Sequence, residues 1–168
     1  ADYVNVASDE IFEEDRTNED IVSFAFHVFE QTTDAKSAIN VLLRRIGKTY
    51  GLHRVSVVEL QPEKRLSSYV YQWSRSVNLL TKGQEITYTQ GQLDKLLDGY
   101  SADGMLECPG TQYVPFTHRE GDTCFAQNVL FCALYEEGRY TGHLLLESFA
   151  QEHVWDEETK NILKEVGR

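Results

Sequence analysis

Apolar positions keep helical spacing at the start of the chain, alternate or run together through its middle, and return to helical spacing at its end. A helix start at Thr17, with Asp20 three positions on, precedes Ile21, Phe24, Ala25, Val28 and Phe29 at i, i+3, i+4, i+7 and i+8. Val22 and Phe26 widen that stripe, so this helix is expected to have more than one neighbour. Thr32-Thr33-Asp34 breaks it and caps a second helix, whose face is Ala35, Ala38, Ile39, Leu42, Leu43 and Ile46. Arg44, Arg45 and Lys48 suit its C-terminal end, and Tyr50-Gly51 closes it.

Strand patterns follow. Arg54–Leu60 is β-branched and apolar, Gln61-Pro62-Glu63-Lys64 is a turn by composition, and Leu66–Trp73 is a second strand. Strict alternation would place Tyr69, Tyr71 and Trp73 on one face. Val77–Thr89 reads as a strand or an ordered loop, Gly91–Asp98 as a short helix through Leu93, Leu96 and Leu97, and Met105–Cys108 as a short strand. Pro109–Asp122 is irregular and carries Pro115, Thr117, His118 and Arg119. Val129–Tyr135 and Tyr140–Glu147 flank Glu136-Glu137-Gly138-Arg139 and predict a hairpin. Val129–Tyr135 is apolar on both parities, so it should be an interior strand covered on both sides. After Trp155, Asp156-Glu157-Glu158 opens a last helix with Ile162, Leu163 and Val166 at helical spacing.

Helices at both ends around hairpin-linked strands predict an α+β fold. Its centre is an antiparallel sheet of five or six strands with helices on both faces, the first, second and last helices sharing one of them. Residues 1–16 read as an acidic lead-in and 17–168 as a single domain. The opening Ala1-Asp2-Tyr3, without methionine, suggests a fragment of a longer chain.

Charge changes the picture of partners. With 27 acidic and 16 basic residues the net charge is −11, and no basic stripe offsets it, so nucleic acid and anionic membranes are disfavoured. No apolar run approaches the roughly 20 residues that span a bilayer, and no signal peptide is evident. Cys108, Cys124 and Cys132 form no CxxC pair and fit a reducing cytoplasm, with Cys132 read as a small buried hydrophobe. His27, His53, His118, His143 and His153 show no metal-ligand spacing, and no metal site is expected. Phosphate-cradling glycine loops, HExxH, EF-hand loops and nucleophile elbows are missing from the sequence, and no catalytic residue is assigned. His118-Arg119 is the one adjacent pair in an irregular segment that could meet an anionic ligand.

The element order, together with DAKSAINVLLRRIGKTYG, HRVSVVEL, LFCALYEEGRYTGHLLLES and HVWDEETKNILKEVG, resembles a GAF domain from about Asn18 to Arg168. The resemblance implies a small-molecule-sensing, dimerising domain of a bacterial signalling protein, of the kind placed before GGDEF, histidine-kinase or phosphodiesterase outputs. The output domain would lie outside this chain, which carries no output motif. The resemblance also implies a pocket between one sheet face and the middle segments, which bear Tyr88, Tyr100, Tyr113 and Phe116. The family's ligand signatures are not reproduced. Asp156-Glu157 is present, but neither the spacing after Ser148-Phe149 nor an Asn-Lys pair matches the cyclic-nucleotide pattern. No cysteine precedes a histidine as in bilin-attaching members, and the cysteine separations differ from those of the methionine-sulfoxide reductases.

The expectation is therefore a cytoplasmic regulatory module, not an enzyme, with no cofactor assigned and an unidentified small molecule as ligand. Its pocket is expected beside the second strand and Pro109–Asp122, lined by Tyr71, Trp73, Tyr113, His118 and Arg119. A parallel homodimer is expected through the terminal helices, using Val22, Phe26, Ile162 and Val166. The alternatives are a ligand-free dimerisation and relay module, or a thiol-dependent reductase.

Overall fold

The computed structural model describes residues 35–81, 83–118, 122, 125–150, 155 and 160. Ala35–Thr49 forms helix α1, as the spacing of its apolar residues requires, and buries Ala38, Leu42, Leu43 and Ile46. It leads into strand β1 (Arg54–Gln61), a 3-10 turn at Pro62–Lys64, and strand β2 (Leu66–Ser74). A second 3-10 turn, Val77–Leu79, and the short strand β3 (Glu85–Thr87) resolve the ambiguous stretch Val77–Thr89. Helix α2 (Gln90–Gly99) starts from Thr89, whose hydroxyl accepts from the Gln92 N–H while the Gln92 side chain accepts from the Thr89 N–H. Strand β4 (Met105–Cys108) and the hairpin of β5 (Asn128–Glu136) and β6 (Arg139–Ser148) complete the described elements.

The six strands form one sheet in the order β3-β2-β1-β6-β5-β4, with every neighbouring pair antiparallel. This is the expected α+β architecture. The β5–β6 hairpin is tighter than its sequence suggested. The strands extend through Glu136 and Arg139, leaving Glu137 and Gly138 to turn the chain at φ +53° and +77°. Two successive positive φ values match the twist of the flanking strands.

Alternation sorts the sheet residues onto two faces. Val55, Val57, Leu130, Cys132, Leu144 and Leu146 meet Leu42, Leu43 and Ile46 of α1, and Met105 and Trp155 close the same cluster. Val58, Leu60, Val129, Phe131, Leu145, Leu106 and Cys108 point the other way, to Leu93 and Leu96 of α2 and to Tyr88, Tyr113 and Phe116. These are called the α1 face and the α2 face below, and helices cover both. The expected first and last helices, with Ile21–Phe29 and residues 156–168 apart from Lys160, lie outside the described residues.

Two expectations are corrected. Tyr69, Tyr71 and Trp73 do not share a face: Tyr69 joins the α2 cluster, while Tyr71 and Trp73 pack with the α1 cluster. A bulge is the cause. Val57 is opposite Tyr71 and Val58 is opposite Tyr69, so Val70 is the extra residue and β2 changes parity there. Strand β5 is interior, between β6 and β4, but only Val129–Cys132 is buried on both faces. The four residues of β4 pair with Val129–Cys132 alone, and beyond them Tyr135 is 57 % exposed.

Candidate functional site

The α1 face is a packing surface. Gly47 lies so close to Trp73 that a Cβ there would come within 2.1 Å of the indole, so the helix seats directly on the ring. An open cleft of about 350 Å³ runs past this contact, lined by Gly47, Lys48, Gly51, Leu52, Trp73, Ser74 and Arg75. A second cleft of about 390 Å³ lies by the hairpin turns, between Leu60–Glu63 and Glu136–Thr141.

The α2 face differs in chemistry. The same alternation that sends Val55 and Val57 to α1 sends Arg54 and Ser56 to this side, joined there by Gln72, His143 and Glu147, and all five are buried. Polar groups withdrawn from water must find partners, and these do. The Arg54 side chain, 0 % exposed, donates from Nε and Nη2 to the two carboxylate oxygens of Glu147 at 3.0 and 2.9 Å. Its Nη1 and Nη2 donate to the two oxygens of Asp122 at 3.1 and 3.2 Å, and Nη1 also donates to the Leu79 carbonyl at 2.8 Å. All five guanidinium N–H groups are thereby used. Glu147 is opposite Arg54 in the β1–β6 ladder, whereas Leu79 comes from the Val77–Leu79 turn and Asp122 from outside any helix or strand. Burial alone would weaken the guanidinium's hold on its proton, but the Glu147 and Asp122 carboxylates outweigh it and raise the Arg54 pKa further. Phe149 caps the guanidinium at 5.5 Å.

One row along the sheet, Gln72 Nε2 donates to the Ser56 and Thr81 hydroxyls, each at 2.9 Å, and Gln72 Oε1 accepts from the Thr81 N–H. The opposite end of the face carries a chain of hydroxyls and an imidazole. The Tyr100 and Tyr140 oxygens are 3.0 Å apart, and the Tyr140 oxygen is 2.7 Å from His143 Nδ1. Burial pushes both phenols up from their ordinary range, Tyr100 with added repulsion from Tyr140. Between these ends the wall is aromatic: Phe116 and Phe131 meet His143 edge-on, and the Tyr69 hydroxyl donates to the Phe116 carbonyl at 3.1 Å. Thr117 ties its segment down by donating to the Gly110 carbonyl.

The residues expected to line one pocket are not brought together. Tyr71 and Trp73 are on the α1 face because of the bulge, and Tyr113 is buried on the α2 face. His118 sits at the rim of the α2 face, its ring 4.0 Å from that of Phe125 and its Nδ1 4.0 Å from Asp122. Arg119 lies outside the described residues, as do Val22, Phe26, Ile162 and Val166 of the expected interface. Of the aromatic residues on the middle segments, Tyr88, Tyr113 and Phe116 join the buried α2-face core, and Tyr100 packs against it. Sequence reasoning passed over Arg54, Glu147, Gln72 and Asp122. The polar–apolar alternation Arg54-Val55-Ser56-Val57 was the available signal for the first of them.

Of the cysteines, Cys108 and Cys132 are buried, and burial pushes each thiol from an ordinary 9.0 up to about 12, with Glu107 adding to the effect at Cys108. Cys124 lies outside the described residues. Among the described residues no group of three or more His, Cys, Asp or Glu is placed to hold a metal ion. Nor is any described helix long and apolar enough to cross a membrane.

No family model matches the chain, and no curated protein matches it by sequence. Solved structures do match in fold. A phycocyanobilin-bound GAF domain from a cyanobacterial phytochrome superposes with a TM-score of 0.68 at 9 % identity, over 90 % of this chain and 90 % of that one. The GAF domain of a phosphoenolpyruvate-protein phosphotransferase from Coxiella burnetii gives 0.63 at 10 % identity, again over 90 % of each chain. A free methionine-R-sulfoxide reductase from Neisseria meningitidis, in complex with its substrate, gives 0.65 at 14 % identity, over 89 % of this chain and 83 % of that one. This chain spans only 37 % of a similar bacteriophytochrome from R. palustris and 57 % of the chromophore-binding domain of another from Stigmatella aurantiaca. At such identities the likeness establishes architecture alone, and the architecture is that of a GAF domain.

Proposed function

We propose that this chain is a sensory and regulatory domain that takes a small molecule on the α2 face of its sheet and is not itself an enzyme. The observation that carries this reading is the buried polar set Arg54, Ser56, Gln72, His143 and Glu147 on an otherwise apolar and aromatic wall. A few fixed polar groups on such a wall are what orient a small ligand. The described segments covering the wall, the Val77–Leu79 turn and Pro109–His118, hold no α-helix or strand, and such segments reshape at lower cost than a packed helix.

Neighbours of the same fold hold a bilin or a sulfoxide substrate. Neither chemistry transfers easily to the described cysteines. Attachment of a bilin or reduction of a sulfoxide needs an accessible thiolate, and Cys108 and Cys132 are buried with their thiols held protonated. Further parts of the reading are a parallel homodimer through the terminal helices, a cytoplasmic setting, and a GGDEF-type or other output domain on the same polypeptide.

A melting-temperature screen against a broad metabolite set tests the sensing role, because a ligand of the folded state raises the transition with the logarithm of its concentration above Kd. A concentration-dependent rise with one chemical class is expected. A flat screen, together with native mass spectrometry showing no co-purified molecule, would leave the ligand-free relay module standing instead. Sedimentation tests the dimer, which Val22→Glu with Phe26→Glu should dissociate.

A further inference from the structure

The geometry points to a second small-molecule site, at the open end of the α1 face: it takes a single-ring organic acid whose carboxylate is held by Arg75 and whose ring lies along Trp73. This site goes beyond the sensing role proposed above and does not depend on it.

Arg75 is held from behind. Its backbone N–H donates to the His53 carbonyl at 2.8 Å, and its Nη2 donates to the Gly51 carbonyl at 2.8 Å. Its Nη1 is 3.4 Å from His53 Nε2, but that contact is not a hydrogen bond. The Phe149 N–H donates to His53 Nδ1 at 3.1 Å, so Nδ1 presents its lone pair and Nε2 carries a hydrogen. Two N–H groups facing one another repel, and an oxyanion beside the guanidinium relieves the contact. The guanidinium is exposed, and among the described residues no carboxylate pairs with it, in a chain with 27 acidic residues.

The surroundings do not oppose an anion. From Ala35 to Val58 the chain has five basic residues and no acidic one, against a net charge of −11 for the whole. The carbonyl end of a helix repels anions, but here the carbonyls are taken. The N–H groups of Tyr50, Leu52 and Gly51 donate to Ile46, Gly47 and Lys48, and Arg75 itself uses the Gly51 carbonyl. The cleft in front of Arg75 holds about 350 Å³. That is at the small end of the roughly 300–1,000 Å³ of ligand sites and suits one ring rather than two. Trp73 and Leu52 give it an apolar wall, and Gly47 and Gly51 leave it open by having no side chains. A Cβ on Gly51 would meet nothing within 4 Å. An arginine fork takes both oxygens of a carboxylate at once, and an indole beside it offers a flat partner for a ring.

Sodium benzoate is the probe, with sodium acetate for the charge alone and benzyl alcohol for the ring alone, at one ionic strength. In a proton–nitrogen NMR titration the Trp73 indole N–H and the Arg75 Nε–H should shift saturably with benzoate, with a Kd on the order of 1 mM. Acetate and benzyl alcohol should each bind at least about tenfold more weakly. Arg75→Gln keeps an exposed polar side chain without the cation, and should weaken benzoate by about tenfold or more. Gly51→Asn keeps the left-handed backbone, which asparagine tolerates, and puts a side chain at the cleft, so it should weaken benzoate as well. Should Arg75→Gln not fold, Gly51→Asn carries the test. The site is overturned if benzoate gives no saturable shift at Trp73, if acetate matches benzoate, or if either folded variant binds benzoate as the unaltered protein does. Shifts confined to Tyr140 and His143 would also overturn it, while supporting a ligand on the α2 face instead.

Discussion

The two faces of the sheet are made from the same strands by the same alternation, yet they are built to different rules. On the α1 face Val55, Val57, Leu130, Leu144 and Leu146 meet the side chains of one regular helix, and Gly47 lets that helix close onto Trp73. On the α2 face Arg54, Ser56, Gln72, His143 and Glu147 interrupt the apolar wall, and the cover is a short helix with irregular segments. A hydrophobic surface needs only area and shape to hold its partner, so it tolerates repacking. A buried polar set needs every partner in place, so each loss is felt as an unpaired group. The α1 face therefore acts as the structural support and the α2 face as the specific one.

The largest expected effect comes from Arg54→Met. It strands Glu147 and Asp122 without their cation, and should cost about 3–5 kcal/mol in denaturant unfolding. A loss below about 1 kcal/mol would mean that the carboxylates are solvated and the α2 face is not a sealed site. On the other face, Leu146→Ala removes a side chain that is 0 % exposed beneath α1 and should cost about 2–5 kcal/mol. Its ligand response should be unchanged at matched folded fraction, and a changed response would break the division of labour between the faces. Gln72→Leu comes next. It leaves the buried Thr81 N–H without its acceptor and should cost about 1–3 kcal/mol.

The two buried thiols give the finest comparison, since Cys132 belongs to the α1 face and Cys108 to the α2 face. Each folded-state pKa lies near 12, above the ordinary 9.0, so the native state disfavours the thiolate. That contribution to stability is complete below pH 9 and is lost as pH rises from there toward 12. Residue-resolved alkylation at pH 8 should find both thiols slow. If the α2 face opens more readily, Cys108 should be labelled before Cys132. Equal rates would mean that both faces open only with the whole domain.

Much of the scaffold was legible. Helix α1 shows six turn-spaced apolar positions from Ala35 to Ile46, and Gly51 follows its end. The β5–β6 hairpin was readable from its two apolar runs and glycine turn. The Thr89–Gln92 capping box was also present in the sequence and would have placed the start of α2 one residue before Gly91. The candidate site was not legible in the same way. Arg54 and Glu147 are 93 residues apart, and Arg54 and Asp122 are 68 apart. Arg54 and Glu147 each look like an isolated charge at the end of an apolar run until the β1–β6 ladder places them side by side.

Among the described residues the sequence by itself determined α1, β1, β2 and the β5–β6 hairpin, their order and antiparallel connections, and the need to cover Val129–Cys132 on both sides. These depend on periods of 2 and 3.6 residues, which are written within a single segment. The tertiary structure decided the strand register, the bulge at Val70 that sends Tyr69 to one face and Tyr71 and Trp73 to the other, and the neutralisation of Arg54 by Glu147. Those depend on which distant segments pair and at what offset. A one-residue change in that offset reverses every side chain, so no local pattern can specify it.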